Sequence, residues 1–245
     1  MSPHPLAILS AMHEELRALL TLLDDRHTVR LAGRDFHHGT IHDQPVVLVL
    51  SGIGKVAATT TAVLLMHAYD VQQLVFTGVA GGLAPGIEVG DVVVARQLLH
   101  HDMDASPLFP RFEVPLTGRS RFDADPGLSD ALAGAASGIL GTRVHRGLIV
   151  SGDRFIASAA DSAELRAVLP DALAVEMEGA AVAQACADFG RPFAVVRTIS
   201  DRADDEAHLD FTRFIEEVAS ATTRAIVEGW LRHEANSRHA SPPVR

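Results

Sequence analysis

The stretch VVLVLSGIGKVAATTTAVLLMHA, residues 46–68, decides the fold class. It opens with five consecutive apolar residues, Val46–Leu50, with no polar alternation. A strand covered on both faces reads this way, whereas a strand with one wet face alternates. The run breaks at Gly52 and Gly54 and continues as an alanine- and leucine-rich helical pattern over Gly54–Ala68. Strand, glycine turn and helix form the unit of an α/β sheet, and the same pattern recurs along the chain. Leu6–Ser10, Leu74–Thr77, Asp91–Ala95, Arg146–Ser151 and Phe193–Ile199 read as further strands. Glu14–Leu23, Val175–Ala187 and Phe211–Arg232 read as further helices. Two segments around Thr28–His38 form an antiparallel excursion turning at Gly33. The expectation is one α/β domain over residues 1–231: a mixed, largely parallel twisted sheet with helices on both faces. The segment His100–Arg121 (HHDMDASPLFPRFEVPLTGRSR) carries three prolines and no period, which predicts a long loop of the kind that carries function. The polar end, residues 232–245, contains Pro-Pro and is expected to be disordered.

Composition narrows the function classes. The chain has 245 residues, enough to bury roughly 70–75% of its unfolded surface without a disulfide or metal staple. Lys+Arg 21 against Asp+Glu 31 leaves a net charge of −10, which disfavours nucleic acid and anionic membrane surfaces as partners. A single cysteine, Cys186, forms no internal disulfide and reads as a small core residue, in keeping with a reducing cytoplasm. The first fifteen residues lack a basic secretory pattern, and no apolar run approaches a membrane span.

Glycine concentrates in SGIGK (Ser51–Lys55) and TGVAGG (Thr77–Gly82), each following a strand. Neither has the spacing of a phosphate-binding or dinucleotide loop, so a nucleotide cofactor is poorly supported. Singly, such glycines only permit tight strand exits; two at the carboxyl ends of parallel strands mark where open α/β sheets place ligands. The carboxylates say more. Glu14 and Glu15 follow the first strand, where complementing a helix dipole is the plain role. Asp201 ends a strand and can serve as an N-cap. Glu176 and Glu178 bracket Met177 at the start of an apolar helix, and at Glu178 a carboxylate needs a partner or a ligand. The 13 histidines include no H-E-x-x-H motif, and no nucleophile elbow is present.

In chain order stand SAMHEE (Ser10–Glu15), SGIGKVAA (Ser51–Ala58), TGVAGGLAP (Thr77–Pro85), GDVVVA (Gly90–Ala95), RGLIVSGDRFI (Arg146–Ile156), AVEMEGAAVA (Ala174–Ala183) and VVRTISDRAD (Val195–Asp204). Together they resemble the 5′-methylthioadenosine/S-adenosylhomocysteine nucleosidases of the nucleoside phosphorylase superfamily, from about Leu6 to Leu231. The resemblance implies an αβα sandwich and hydrolysis of the adenine N9–ribose C1′ bond by water, without metal or cofactor. It implies Asp201 as the acid that protonates adenine N7, which requires a pKa well above the ordinary aspartate value, with Ser200 placing it. Glu178 would hold the ribose hydroxyls and face the developing cation, with Met177 against the sugar. Glu15 would activate water, with Arg197 in the polar network. Phe155 would stack on adenine, the Ile156 backbone would read the base edge, and Phe211 would close over the purine. Gly81 and Ile53 would line the water and sugar end. The resemblance further implies a homodimer whose 102–116 loop completes the neighbouring site around the 5′-alkylthio group, with Leu108, Phe109 and Phe112 as apolar contacts.

The sequence departs from that family at Val79, where serine is frequent, at His13, where glutamate is common, and across Asp102–Leu116. Other readings stay open. A purine nucleoside phosphorylase of the same fold would need cations for phosphate, whereas Glu14 and Glu15 stand where such relatives carry arginine. A futalosine-type purine nucleosidase would use similar carboxylates. A nucleoside-binding protein without activity would have no use for Glu15, Glu178 and Asp201 together.

Overall fold

The computed structural model describes residues 4–204, 207 and 219–240. Ten strands join in one sheet. They are β1 (Leu6–Ser10), β2 (Asp24–Leu31), β3 (Arg34–Ile41), β4 (Gln44–Leu50), β5 (Gln73–Gly82), β6 (Val92–His100), β7 (Phe122–Asp123), β8 (Val144–Ser151), β9 (Ala172–Glu176) and β10 (Phe193–Asp201). Six described helices surround them: α1 (His13–Leu20), α2 (Lys55–Ala68), α3 (Pro126–Ser137), α4 (Ala159–Val168), α5 (Gly179–Phe189) and α6 (Ser220–Ala240).

The apolar strand predicted from Leu6–Ser10 lies between β4 and β5, parallel to both. Its side chains alternate between two cores, because successive residues of a strand face opposite ways. Leu6 and Ile8 join Leu16, Leu19, Leu132, Ile226 and Trp230 under α1, α3 and α6. Ala7 and Leu9 join Ala58, Leu65, Val182 and Cys186 under α2 and α5. The unbroken hydrophobicity of the strands is thus explained by helices on both faces. Truncating a fully buried residue such as Leu65 to alanine costs about 2–5 kcal/mol.

The sheet is mixed. β4, β1, β5 and β10 run parallel, and so do β6, β8 and β9. β10 also pairs antiparallel with β6, and the tips of β5 and β9 pair antiparallel at Gly81–Val175 and Gly82–Ala174. The five strands β5, β10, β6, β8 and β9 therefore close into a ring. The expected excursion is the β2–β3 hairpin, turning at Ala32 (φ 49°) and Gly33 (φ 75°), a pair of left-handed residues suited to a two-residue turn.

Two expectations need correction. The predicted helix Val175–Ala187 is a strand followed by a helix: Ala172–Glu176 pairs with β8, and α5 begins only at Gly179. Pairing with β8 overrides the helix propensity of Ala-Leu-Ala-Val-Glu. The predicted disorder from residue 232 does not hold to that boundary, since α6 continues to Ala240, supported by Glu228–Arg232 and Arg224–Glu228 pairs one turn apart. Residues 211–218 of the predicted helix Phe211–Arg232 lie outside the described residues, as do 241–245. Two helices went unanticipated although their caps are legible: Asp125 accepts from Leu128 N ahead of Pro126, and Ser158 accepts from Asp161 N. The long segment after β6 is a loop, with a Val114–Arg119 bridge inside it.

Candidate active site

The carboxyl ends of β1, β5, β9 and β10 converge with the loops after β4 and β8 on one cavity of about 350 Å³. Ala11 and Met12 follow β1, Ile53 follows β4, and Val79, Ala80 and Gly81 end β5. Arg154, Phe155 and Ile156 follow β8, Val175, Glu176, Met177 and Glu178 leave β9, and Ser200 and Asp201 end β10. The wall is mostly apolar with a few carboxylates, the make-up of a small-molecule site.

Each carboxylate is held by its neighbours. Asp201 is buried at the end of β10, where the Ser200 hydroxyl donates to Oδ2 at 2.8 Å and the Ala203 N–H donates to Oδ1 at 2.8 Å. Gly81 stands directly opposite: a Cβ there would lie 2.9 Å from Asp201 Oδ1 and 2.9 Å from the Ala203 Cβ. Only glycine fits between the two strands at that level. Glu178 precedes α5 and accepts the Gly54 N–H at 2.8 Å. Burial, and then the neighbouring Glu176 carboxylate, push its pKa up to about 7, against the Gly54 N–H and the Arg197 charge. Glu15, on α1, is fully buried behind the wall, accepting from Met12 N at 3.3 Å and from Thr223 Oγ1 at 3.2 Å. Burial lifts it to about 7 as well, with the Arg197 charge opposing.

Arg197 and Glu176 form the buried electrostatic centre. The Arg197 guanidinium, fully buried on β10, donates to Glu176 Oε2 from Nη2 at 2.7 Å and from Nε at 3.3 Å. It also donates to Phe76 O at 3.1 Å and lies over the Phe76 ring, 4.1 Å from its centroid. Glu176 further accepts the Gly179 and Glu178 N–H groups and the Ser151 hydroxyl. It is a carboxylate with every lone pair committed, anchoring the turn that presents Met177 and Glu178.

The structure therefore gathers most of the residues predicted from sequence. Asp201, Glu178, Ser200, Met177, Phe155, Ile156, Gly81 and Ile53 line the cavity, with Phe155 and Ile53 at its rim, 42% and 64% exposed. Glu15 and Arg197 support it from behind, and Arg197 bonds Glu176 rather than Glu15. Phe211 lies outside the described residues. Among the described residues, none of 102–116 lines the cavity; Leu108 is 83% exposed, and Phe112 packs against the cluster around Leu99 and Val150. Val79 packs with Met12 and Ala219, so this departure is absorbed as an apolar contact. Sequence reasoning gave Glu176 no role and missed Arg154, which lines the cavity while pairing with Asp161. A glutamate two residues before Glu178, with a strand serine (Ser151) and a strand arginine (Arg197) within reach, was the available signal for the first. Among the described residues no cluster of three or more His, Cys, Asp or Glu is arranged to hold a metal.

Comparison with known proteins identifies the family to which this fold belongs. The sequence matches the phosphorylase superfamily over residues 5–232. It is 39% identical over 215 residues to the 5′-methylthioadenosine/S-adenosylhomocysteine nucleosidase of Chromohalobacter salexigens, covering 88% of this chain and 92% of the relative. The fold superposes with a TM-score of 0.90 on the Neisseria meningitidis nucleosidase in complex with methylthio-immucillin-A, at 35% identity over 94% of this chain and all of that one. It superposes with a TM-score of 0.87 on the futalosine hydrolase of Helicobacter pylori, also at 35% identity, covering 94% of this chain and 98% of that one. The chain belongs to the phosphorylase superfamily and, within it, to the 5′-methylthioadenosine/S-adenosylhomocysteine nucleosidases, which are N-glycosyl hydrolases.

Proposed function

We propose that the protein hydrolyses the N-glycosidic bond of 5′-methylthioadenosine and S-adenosylhomocysteine, and of 5′-deoxyadenosine, releasing adenine and the 5′-substituted ribose. The observation that carries this reading is that Asp201 and Glu178 line one mostly apolar cavity, with Glu15 fully buried behind its wall. The bond to be broken leaves a purine bearing negative charge and a sugar bearing positive charge. Asp201 donates its proton to adenine N7 as the N9–C1′ electron pair withdraws into the ring. Ser200 and the Ala203 N–H fix its orientation. Glu178 binds the ribose hydroxyls and, as an anion, stabilises the oxocarbenium-like carbon. Glu15 takes a proton from water as the oxygen bonds to C1′; its pKa of about 7 suits a general base near neutrality. Phe155 stacks on the purine, the Ile156 backbone reads its edge, Met177 packs on the sugar, and Phe211 closes over the base.

Water rather than phosphate is the nucleophile in this reading. Arg197, the buried cation nearest the sugar side, is occupied by Glu176, and the groups around that end are carboxylates that repel an anion. The protein acts in the cytoplasm, in methionine salvage, as a homodimer in which the 102–116 loop completes the neighbouring site. That arrangement accounts for the exposed Leu108 and Leu116 and for a loop that stays clear of its own cavity. The likeness to the futalosine hydrolase gives a second reading, in which a larger 5′-substituent is accepted. One panel tests both: adenine release from methylthioadenosine, adenosylhomocysteine, 5′-deoxyadenosine and 6-amino-6-deoxyfutalosine, with and without phosphate, for wild type and Asp201→Asn. Strict phosphate dependence, or full activity of Asp201→Asn, would overturn the reading.

A further inference from the structure

Helix α2 starts next to the cavity without a capping side chain of its own. Its N-cap is Gly54 at φ 89°, a conformation that side chains resist, and a Cβ there would come within 3.0 Å of Asp153 Oδ1. The exposed backbone donors at this end are satisfied by other parts of the chain. Gly54 N–H donates to Glu178 Oε1 at 2.8 Å, and the next donor, Lys55 N–H, donates to Asp153 Oδ1 at 2.7 Å. The Lys55 ammonium reaches Asp102 Oδ1 at 2.6 Å, and Asp102 Oδ2 accepts the Asp153 N–H at 3.0 Å. These bonds close a ring through three segments: the turn before α2, the start of the 102–116 loop, and the loop that carries Phe155.

We propose that Lys55, Asp102 and Asp153 are positioning residues, a clasp that holds the Gly54 N–H on the Glu178 carboxylate and ties the sugar side of the cavity to its purine side. The inference rests on the role at the ribose proposed for Glu178. Two consecutive backbone donors share one local geometry, so the bond to Asp153 fixes the direction of the bond to Glu178. Asp153 lies two residues before Phe155, so the same carboxylate sets where the aromatic ring stands. The Asp102 carboxylate is held below its usual range: burial would raise it, but the Lys55 ammonium and the Asp153 N–H outweigh burial. His100 and His101 also face the lysine, and burial keeps both below the usual imidazole range, so near neutrality they add little competing charge. The groups facing Glu178 itself are Glu176, Arg197 and the Gly54 and Met177 N–H groups. Of these, only the Gly54 N–H depends on the clasp.

The test measures adenine release from methylthioadenosine against pH for full-length wild type, Asp153→Ala, Lys55→Met and Lys55→Arg. Arg191→Ala serves as the control, because it removes a surface ion pair with Asp70 at the opposite end of the sheet. Loss of one hydrogen bond to a carboxylate is worth about one pKa unit, or about tenfold. Asp153→Ala and Lys55→Met are expected to lower kcat/KM about tenfold and to move its acidic limb about one pH unit upward, because the Glu178 anion loses a donor. Lys55→Arg keeps most of the activity, and Arg191→Ala leaves the limb in place. A merely structural role would lower Tm without moving the limb. Wild-type kcat/KM and an unmoved limb in both clasp variants would overturn the proposal; if Asp153→Ala does not fold, Lys55→Met decides alone. Glu178→Gln separates the two levels of inference, since wild-type turnover there overturns the role of Glu178 whatever the clasp variants do.

Discussion

Replacing Glu15 by glutamine is expected to make the protein more stable and nearly inactive, with a stability gain that depends on pH. Glu15 is fully buried, and its folded pKa is about 7 against an ordinary 4.5. Below pH 4.5 folded and unfolded chains both carry the proton, and the residue imposes no penalty. Between pH 4.5 and about 7 the unfolded chain has released the proton while the folded chain retains it, so stability falls as pH rises. At about 1.4 kcal/mol per pH unit, that window integrates to about 3 kcal/mol, reached above pH 7. Glutamine can keep the local bonds: its carbonyl accepts from Met12 N, and its amide donates to the Thr223 hydroxyl, which can turn to accept. Urea unfolding at pH 4, 5.5, 7 and 8 measures the effect. The variant should match wild type at pH 4 and exceed it by up to about 3 kcal/mol at pH 8. Its adenine release should fall by about 10²–10⁴-fold, the usual loss of a general base. A variant no more stable than wild type at pH 8, or equally stabilised at pH 4, would refute the reasoning, since either result means that Glu15 is not a desolvated acid.

Three further perturbations probe the same site. Arg197→Met leaves Glu176 buried without its cation and is expected to cost about 3–5 kcal/mol in urea unfolding, while moving the acidic limb of kcat/KM above pH 7 through both Glu15 and Glu178. Gly81→Ala forces a methyl group against the Asp201 carboxylate and is expected to lower kcat about 10²-fold, with a smaller change in Tm; unchanged kcat would show that Asp201 tolerates displacement. Because Glu15 and Glu178 both titrate near pH 7, log(kcat/KM) should fall with a slope approaching two below pH 6. A slope of one would leave a single ionised carboxylate in the mechanism.

The fold was legible where burial on two faces left its mark. Leu6–Ser10, Val46–Leu50 and Phe193–Ile199 read as strands because helices cover both sides of the sheet. The glycine turn after Val46–Leu50 pointed to the correct end, whereas Thr77–Gly82, expected as a second strand exit, continues β5 to Gly82. Val175 and Glu176 were misread as the start of a helix, and Ala172–Ala174 was not read as strand, because these residues favour helix and only the pairing with β8 makes them extended. That error also hid Glu176, whose importance comes from Arg197 on β10 and Ser151 on β8, neither near it in sequence. The carboxylates Glu15, Glu178 and Asp201 were legible through their motifs. The clasp was not, because Lys55, Asp102 and Asp153 are 47 and 51 residues apart and each alone looks like ordinary surface charge. The apolar loop 102–116 was recognisable as a loop, but its sequence has no pattern that states what it faces.

The strand bearing Asp201 has neighbours on both sides, β5 along its length and β6 across Val196–Thr198, and every one of its residues is buried. Amides in Val195–Ile199 should therefore exchange with deuterium only when the whole molecule opens, among the slowest in the protein. For a bound nucleoside, β10 is then a fixed datum rather than a moving jaw. With Asp201 at the purine as proposed, an inhibitor can be rigid on that side and keep its adaptable groups for the 5′ end.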